Sequence, residues 1–323
     1  MTAATAGPVE EFATGLRTTR VRRTPDGRHE WWHGPGTGRH DPPAAPLAPA
    51  VPAHTAGARL VVPRPVEGGL AYLADGPYSA AAWLRDPRPA VRLLLAHALA
   101  GAGEALRDLH ASAVPDGAGV PPALARLRWF LDRGAEGGVA GPHTPRTASS
   151  APATAPHAPA VVRLREHAAR VWGPARLDRL RSWCAELTEP GGTVLVHGFA
   201  SLGALIPPLR RGPVALLTGE DLGAARPELD LGWLLGDLAE LDWAVPVSAH
   251  LDGPELPRVL LDAYGSGADR DLTGRAAVVR IAAHTRDFAA YCGWSDELAD
   301  YTAFIADLID EEGRRAVLGG ATP

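Results

Sequence analysis

The stretch Val194–Pro208, VLVHGFASLGALIPP, decides how the rest of the chain is read. An apolar run ends on His197-Gly198, a loop follows, and a second apolar run closes before two prolines. Apolar runs this short, bounded by turn residues, predict a strand, a turn and a strand. Just downstream, PVALLTG (213–219) predicts another apolar strand, and PELDLGWLLGDLAEL predicts a helix over 229–243 that opens on Asp230.

Outward from this centre the chain divides in two. In LRTTRVRRTPDGRHEWW the PDG turn separates two strand-like runs and predicts a hairpin, and ARLVVPRPVEGGLAYLADGPY offers two further short strands. Residues 1–88 therefore form a small β-rich lobe with Gly/Pro loops, and residues 89–323 a mainly helical lobe. Val91, Leu94, Leu95, Ala98, Leu99, Ala102, Leu106 and Leu109 recur at helical spacing and predict an amphipathic helix ending near His110. Asp108 and His110 at its end fit capping and core packing. Further helices are expected at about 122–132, 160–172, 175–188, 255–265, 274–291 and 296–315. The Pro/Ala-rich run at about 134–160 has low complexity and is expected to be a flexible insertion. HEWWHGPGTG (29–38) reads as loop; its glycine run lacks the strand–helix context of a phosphate cradle. Trp31, Trp32 and His33 form an exposed cluster there, suited to gripping a peptide or ring, with packing between the lobes as the alternative.

Composition narrows the function classes. All 32 positive side chains are arginines and no lysine occurs, so lysine ammonium and Schiff-base chemistry are excluded. Heavy Ala, Gly, Pro and Arg usage fits a high-GC, actinobacterial genome. A net charge of −5 argues against nucleic acid as a partner. Cys184 and Cys292 belong to no CxxC pair, so no metal site is expected. The start MTAATAGPVEEFATGLR has no apolar signal segment and no run is long enough to cross a bilayer; a soluble cytoplasmic protein, without membrane partners, is expected.

The order VLVHGFASLGALIPP, VALLTGEDLG and PELDLGWLL resembles the aminoglycoside phosphotransferase and choline-kinase-like family, within the protein-kinase-like folds. LLAHALAGAGEALRDLHA (94–111) is similar to that family's long helix before the insertion. The resemblance spans about 55–315 and is specific in 194–240. It implies an α+β, bilobal, protein-kinase-like fold with a small β-rich N-lobe and a large helical C-lobe. The family's loop histidine and glycine fall on His197 and Gly198, and the aspartate that braces the loop and caps the following helix falls on Asp230. The general-base aspartate falls on Phe199, the magnesium-binding asparagine on Ala204, and the second metal-binding aspartate on Thr218. The phosphate-binding lysine has no counterpart. Phosphoryl transfer works by positioning and charge neutralisation, so this set is not expected to perform it.

Scaffold residues thus persist where chemistry residues are gone. The resemblance implies a pseudokinase-fold protein of ribosomal peptide maturation, of the class V lanthipeptide or thioamide-containing type. Its expected partner is a precursor peptide, together with a kinase or lyase of the same pathway. The expected reaction is zinc-independent addition of a cysteine thiol to a dehydroamino acid, with no cofactor. His197, Glu220 and Asp221 are the titratable candidates for it; Phe199, Thr218, Trp31, Trp32 and His33 are candidate binding residues, and Gly198 and Asp230 structural ones. A non-catalytic peptide scaffold and a divergent small-molecule phosphotransferase, with Glu220 or Asp221 holding the metal, stand as alternatives.

Overall fold

Strands β1 (Glu10–Ala13), β2 (Arg17–Arg23) and β3 (His29–Pro35) follow one another as antiparallel neighbours. The β2–β3 turn closes where Gly27, with φ 87°, takes a left-handed conformation that suits glycine. The computed structural model describes residues 10–39, 41–44, 57–84, 86, 88–132, 157–210, 212–244 and 255–318. Most of the run at about 134–160 lies outside them.

The region expected to give two strands after residue 57 gives three: β4 (Ala58–Val61), β5 (Arg64–Val66) and β6 (Gly69–Ala74). β5 and β6 complete a five-stranded sheet of order β1-β2-β3-β6-β5. β4 leaves it. It pairs in parallel with β9 (Val214–Leu217), which pairs on its other side with β8 (Leu205–Ile206). β7 (Val194–Val196) pairs instead with β10 (Gly223–Ala225). The two strands of the opening stretch thus belong to different sheets, and the loop between them spans the gap.

The helices are α1 (Ala80–Trp83), α2 (Pro89–His110), α3 (Pro122–Asp132), α4 (Ala158–Glu186), α5 (Glu228–Ala244), α6 (Leu256–Tyr264), α7 (Arg270–Cys292), α8 (Glu297–Asp310) and α9 (Arg314–Leu318). The break expected inside α4 is a kink: Gly173 leaves helical geometry at φ 64°, ψ 175°, just before Pro174. α5 is buried on all sides over most of its length because it separates two cores. Leu231, Leu234 and Leu235 join the core under the sheets, whereas Leu229 and Trp233 join the one formed with α3, α4, α7 and α8. Gly232 and Gly236 let α7 approach closely; a Cβ at Gly232 would stand 2.4 Å from Ala276.

The aromatic cluster departs from its expected place. Trp31, Trp32 and His33 lie on β3, not on an exposed loop, and strand alternation sends them to opposite faces. Trp31 is buried with its indole N–H donating to the Gly76 carbonyl at 3.0 Å, and His33 is buried against Tyr72. Trp32 lies on the outer face under the Arg20 guanidinium, 4.7 Å from the ring centroid. The three do not form one gripping surface.

Candidate functional site

The loop after β7 is held from below by one carboxylate. Asp230, fully buried in the first turn of α5, accepts the His197 N–H at 2.6 Å and the Gly198 N–H at 2.8 Å. Its Oδ2 also accepts His110 Nε2–H at 3.0 Å, and the other ring nitrogen of His110 meets the Tyr264 hydroxyl at 3.0 Å. The N-terminal end of a helix favours this negative charge. Asp230 sits inside α5 and its bonds reach out to the loop, so it braces the loop rather than capping the helix. Asp237, two turns on, accepts the Leu202 N–H at 2.6 Å and anchors the other half.

His197 is buried, and its Nε2–H donates to the Leu217 carbonyl at 3.0 Å, tying the loop to β9. Burial pushes its pKa below the ordinary imidazole value. Nδ1 is buried without a hydrogen-bond partner among the described residues. Gly198 has φ 76°, and a Cβ there would stand 1.9 Å from the Asp221 carbonyl oxygen. Gly198→Ala is therefore expected to lower stability. The left-handed backbone alone costs about 1–2 kcal/mol, the backbone clash adds to it, and urea denaturation measures the sum.

The three positions where metal and base were expected carry other chemistry. Phe199 packs its ring 6.4 Å from Trp233 and lines a cavity of about 40 Å³ with Leu16, Ala123, Ala283 and Asp287. Ala204 is buried. The Thr218 hydroxyl donates to the Val61 carbonyl at 3.0 Å, so it serves the β4–β9 junction. The whole sequence contains no asparagine, glutamine or lysine. Among the described residues no group of three or more His, Cys, Asp or Glu is placed to hold a metal. Phe199, Ala204 and Thr218 offer no carboxylate or amide for a magnesium ion.

The two carboxylates past β9 have separate environments. Glu220 is gripped by Arg39: Nη2 donates to Oε2 at 2.8 Å and Nη1 to Oε1, while the Ala44 N–H donates to Oε2 at 3.0 Å. Burial opposes the charge of Glu220, but the Arg39 pair outweighs it and holds the pKa below the ordinary value. Asp221 is 6% exposed, and its side chain makes no hydrogen bond or ion pair among the described residues. Burial, then the neighbouring Glu220 charge, pushes its pKa up to about 6 against the pull of Arg126 and Arg17. Arg126 is committed elsewhere, to Asp287 at 3.0 Å, and Arg286 bonds the same carboxylate at 2.7 Å.

Two loops of the β-rich lobe press on the end of α7 beside this cluster. A Cβ on Gly15 or Gly38 would stand 2.2 or 2.5 Å from the Tyr291 carbonyl oxygen. Of the candidate residues, His197, Gly198, Phe199, Thr218, Glu220, Asp221 and Asp230 come together here. Sequence reasoning missed Arg17, Arg39, Arg126 and Asp287. For Arg126 and Asp287 a signal existed, a charge on the apolar side of its helix. Arg39 carried none.

No protein-family model matches the sequence, and no curated protein matches it. Solved structures do. A choline/ethanolamine kinase family protein from Mesorhizobium loti superposes with a TM-score of 0.53 at 15% identity, covering 98% of this chain and 93% of that one. A choline kinase from Cryptosporidium parvum gives 0.46 at 10% identity, covering 96% and 90%. An aminoglycoside phosphotransferase from Streptomyces rimosus gives 0.40 at 19% identity, covering 87% and 93%. The chain has a protein-kinase-like fold of the choline/ethanolamine-kinase type, with a small β-rich N-lobe and a helical C-lobe. No helix among the described residues is long and apolar enough to cross a membrane.

Proposed function

We propose that this chain is a pseudokinase of ribosomal peptide maturation, which binds a modified precursor peptide in its cleft and closes thioether rings in it. One observation carries the reading: Asp221 is a buried carboxyl with a pKa of about 6 and no side-chain bond among the described residues, beside positions where Phe199, Ala204 and Thr218 replace a phosphoryl-transfer set. A buried carboxyl with a raised pKa is the kind of group that moves protons near neutral pH.

The reaction balances on that group alone. The Asp221 carboxylate takes the proton of the cysteine thiol, and the thiolate forms a bond to the terminal carbon of the dehydroamino acid. The alkene pair shifts to the adjacent carbonyl oxygen as an enolate. Protonated Asp221 then returns the proton to Cα and is a carboxylate again. A free thiol has a pKa of about 8.5, so transfer to a carboxylate of pKa about 6 is uphill but accessible. His197 and Glu220 keep supporting roles here, since Leu217 holds one and Arg39 the other. The alkene has to be made first, so a dehydrating kinase or lyase acts upstream as partner.

The test uses a synthetic peptide carrying one dehydroalanine and one cysteine, incubated with and without protein while thiol loss and ring stereochemistry are followed. The wild-type chain is expected to speed closure and give one stereoisomer, and Asp221→Asn to abolish the acceleration while remaining folded. Peptide binding without faster closure would support a scaffold instead. No effect of Asp221→Asn on closure would reject the assignment of the proton carrier.

A further inference from the structure

We infer that Arg17 is the oxyanion-binding residue of this site, donating to the carbonyl oxygen next to the alkene as it becomes an enolate. The inference rests on the ring-closure reading above and adds a second catalytic group to it.

Arg17 opens β2 directly after the Thr14–Leu16 turn. That turn is fixed. The Thr14 N–H bonds the Arg17 carbonyl at 2.8 Å, the Gly38 N–H bonds the Gly15 carbonyl at 2.8 Å, and Gly15 abuts the Tyr291 carbonyl. The side chain is half-buried and reaches the loop, with Cζ 5.7 Å from the centroid of the Phe199 ring. Its charge is felt at His33 and Tyr72 of the β-rich lobe and at His197, Glu220 and Asp221 of the helical lobe. The guanidinium thus lies within electrostatic reach of both the β-rich lobe and the loop after β7.

The other cleft cations are committed to carboxylates: Arg39 to Glu220, and Arg126 and Arg286 to Asp287. The Arg17 side chain makes no hydrogen bond or ion pair among the described residues. A guanidinium carries five N–H donors in a rigid fork. Held half-buried over an aromatic ring with those donors unmet by any described residue, it is set to receive an acceptor that a ligand brings. Asp221, the nearby carboxyl that could satisfy it, does not bond it either. Two neighbouring groups of opposite sign, neither bonded to the other nor to another described side chain, suit a planar unit with an oxygen at one end and a proton-accepting carbon at the other. As the S–C bond forms, the π pair moves onto the carbonyl oxygen and Arg17 stabilises that charge. Return of the proton from Asp221 to Cα restores the carbonyl and frees the guanidinium. Stabilisation of this kind acts on the transition state more than on the bound substrate.

Arg17→Met and Arg17→Lys are compared with wild type on the synthetic dehydroalanine–cysteine peptide, and binding is measured on the same peptide with alanine in place of dehydroalanine. Methionine keeps the stem over Phe199 and removes no hydrogen bond to a described residue, so the variant should melt close to wild type. The expected result is a fall of about 10²–10³ in kcat for Arg17→Met. Affinity for the alanine peptide should stay within about threefold, and Arg17→Lys should recover part of the rate. Wild-type kcat in Arg17→Met, or a loss of alanine-peptide binding as large as the loss of rate, overturns the inference and leaves ring closure standing. If wild type itself does not accelerate closure, the ring-closure reading fails and the inference fails with it.

Discussion

Asp230→Ala should destabilise the chain by about 3–5 kcal/mol, the range for removing one partner of a buried charged network. The carboxylate is fully buried and accepts from His197 N–H, Gly198 N–H and His110. Alanine leaves two loop N–H groups and an imidazole without their acceptor, each at a desolvation cost of about 1–3 kcal/mol. Asp230→Asn should cost less, because its amide oxygen still accepts one of the N–H groups. Equilibrium urea unfolding of both variants checks the order. Equal losses would mean that the loop is held by its apolar packing and not by this carboxylate.

The second large effect has the opposite sign. Asp221→Asn should stabilise the chain at pH 8 by up to about 3 kcal/mol, at about 1.4 kcal/mol for each factor of ten in acidity. The folded-state pKa, about 6, lies above the ordinary 3.8. Between those values the folded chain keeps a proton that the unfolded chain has released, so stability falls as pH rises through this window. Above it, the ionised carboxylate is a standing cost that asparagine removes. At pH 3 both states are protonated in wild type, and the two proteins should unfold alike. Urea unfolding at pH 3 and pH 8 reads the difference directly. A substitution that strengthens the fold while abolishing ring closure is what a group kept for chemistry predicts. Equal stability of the two proteins at pH 8 would mean that Asp221 finds its compensation in the cleft.

Much of this scaffold was legible in sequence because it rests on periodicity and punctuation. The apolar spacing from Val91 to Leu109 marked α2, the PDG turn marked the β2–β3 hairpin, and Gly173-Pro174 marked the kink in α4. The loop was legible through order: His197, Gly198 and Asp230 stand where a brace was expected, and the brace forms. Pairing was not legible. Nothing local in Ala58–Val61 says that it deserts its neighbours for β9, and a strand as short as Gly223–Ala225 has no period to detect. Trp31, Trp32 and His33 were misplaced because the glycines that follow them suggested loop, although alternation through His29, Trp31 and His33 fits a strand with one buried face. The Arg39–Glu220 pair joins residues 181 positions apart, a separation at which composition carries no information.

Titration with magnesium-ATP at millimolar concentration, followed by thermal denaturation, tests the central claim most directly. A ligand at a hundred times its Kd adds about 2.7 kcal/mol to stability, a rise easily seen in a melting curve. With Phe199, Ala204 and Thr218 at the key positions and no lysine in the chain, the melting temperature should not move, with or without magnesium. A magnesium-dependent rise, accompanied by release of ADP, would contradict the account and restore the chain to the phosphotransferases whose fold it has.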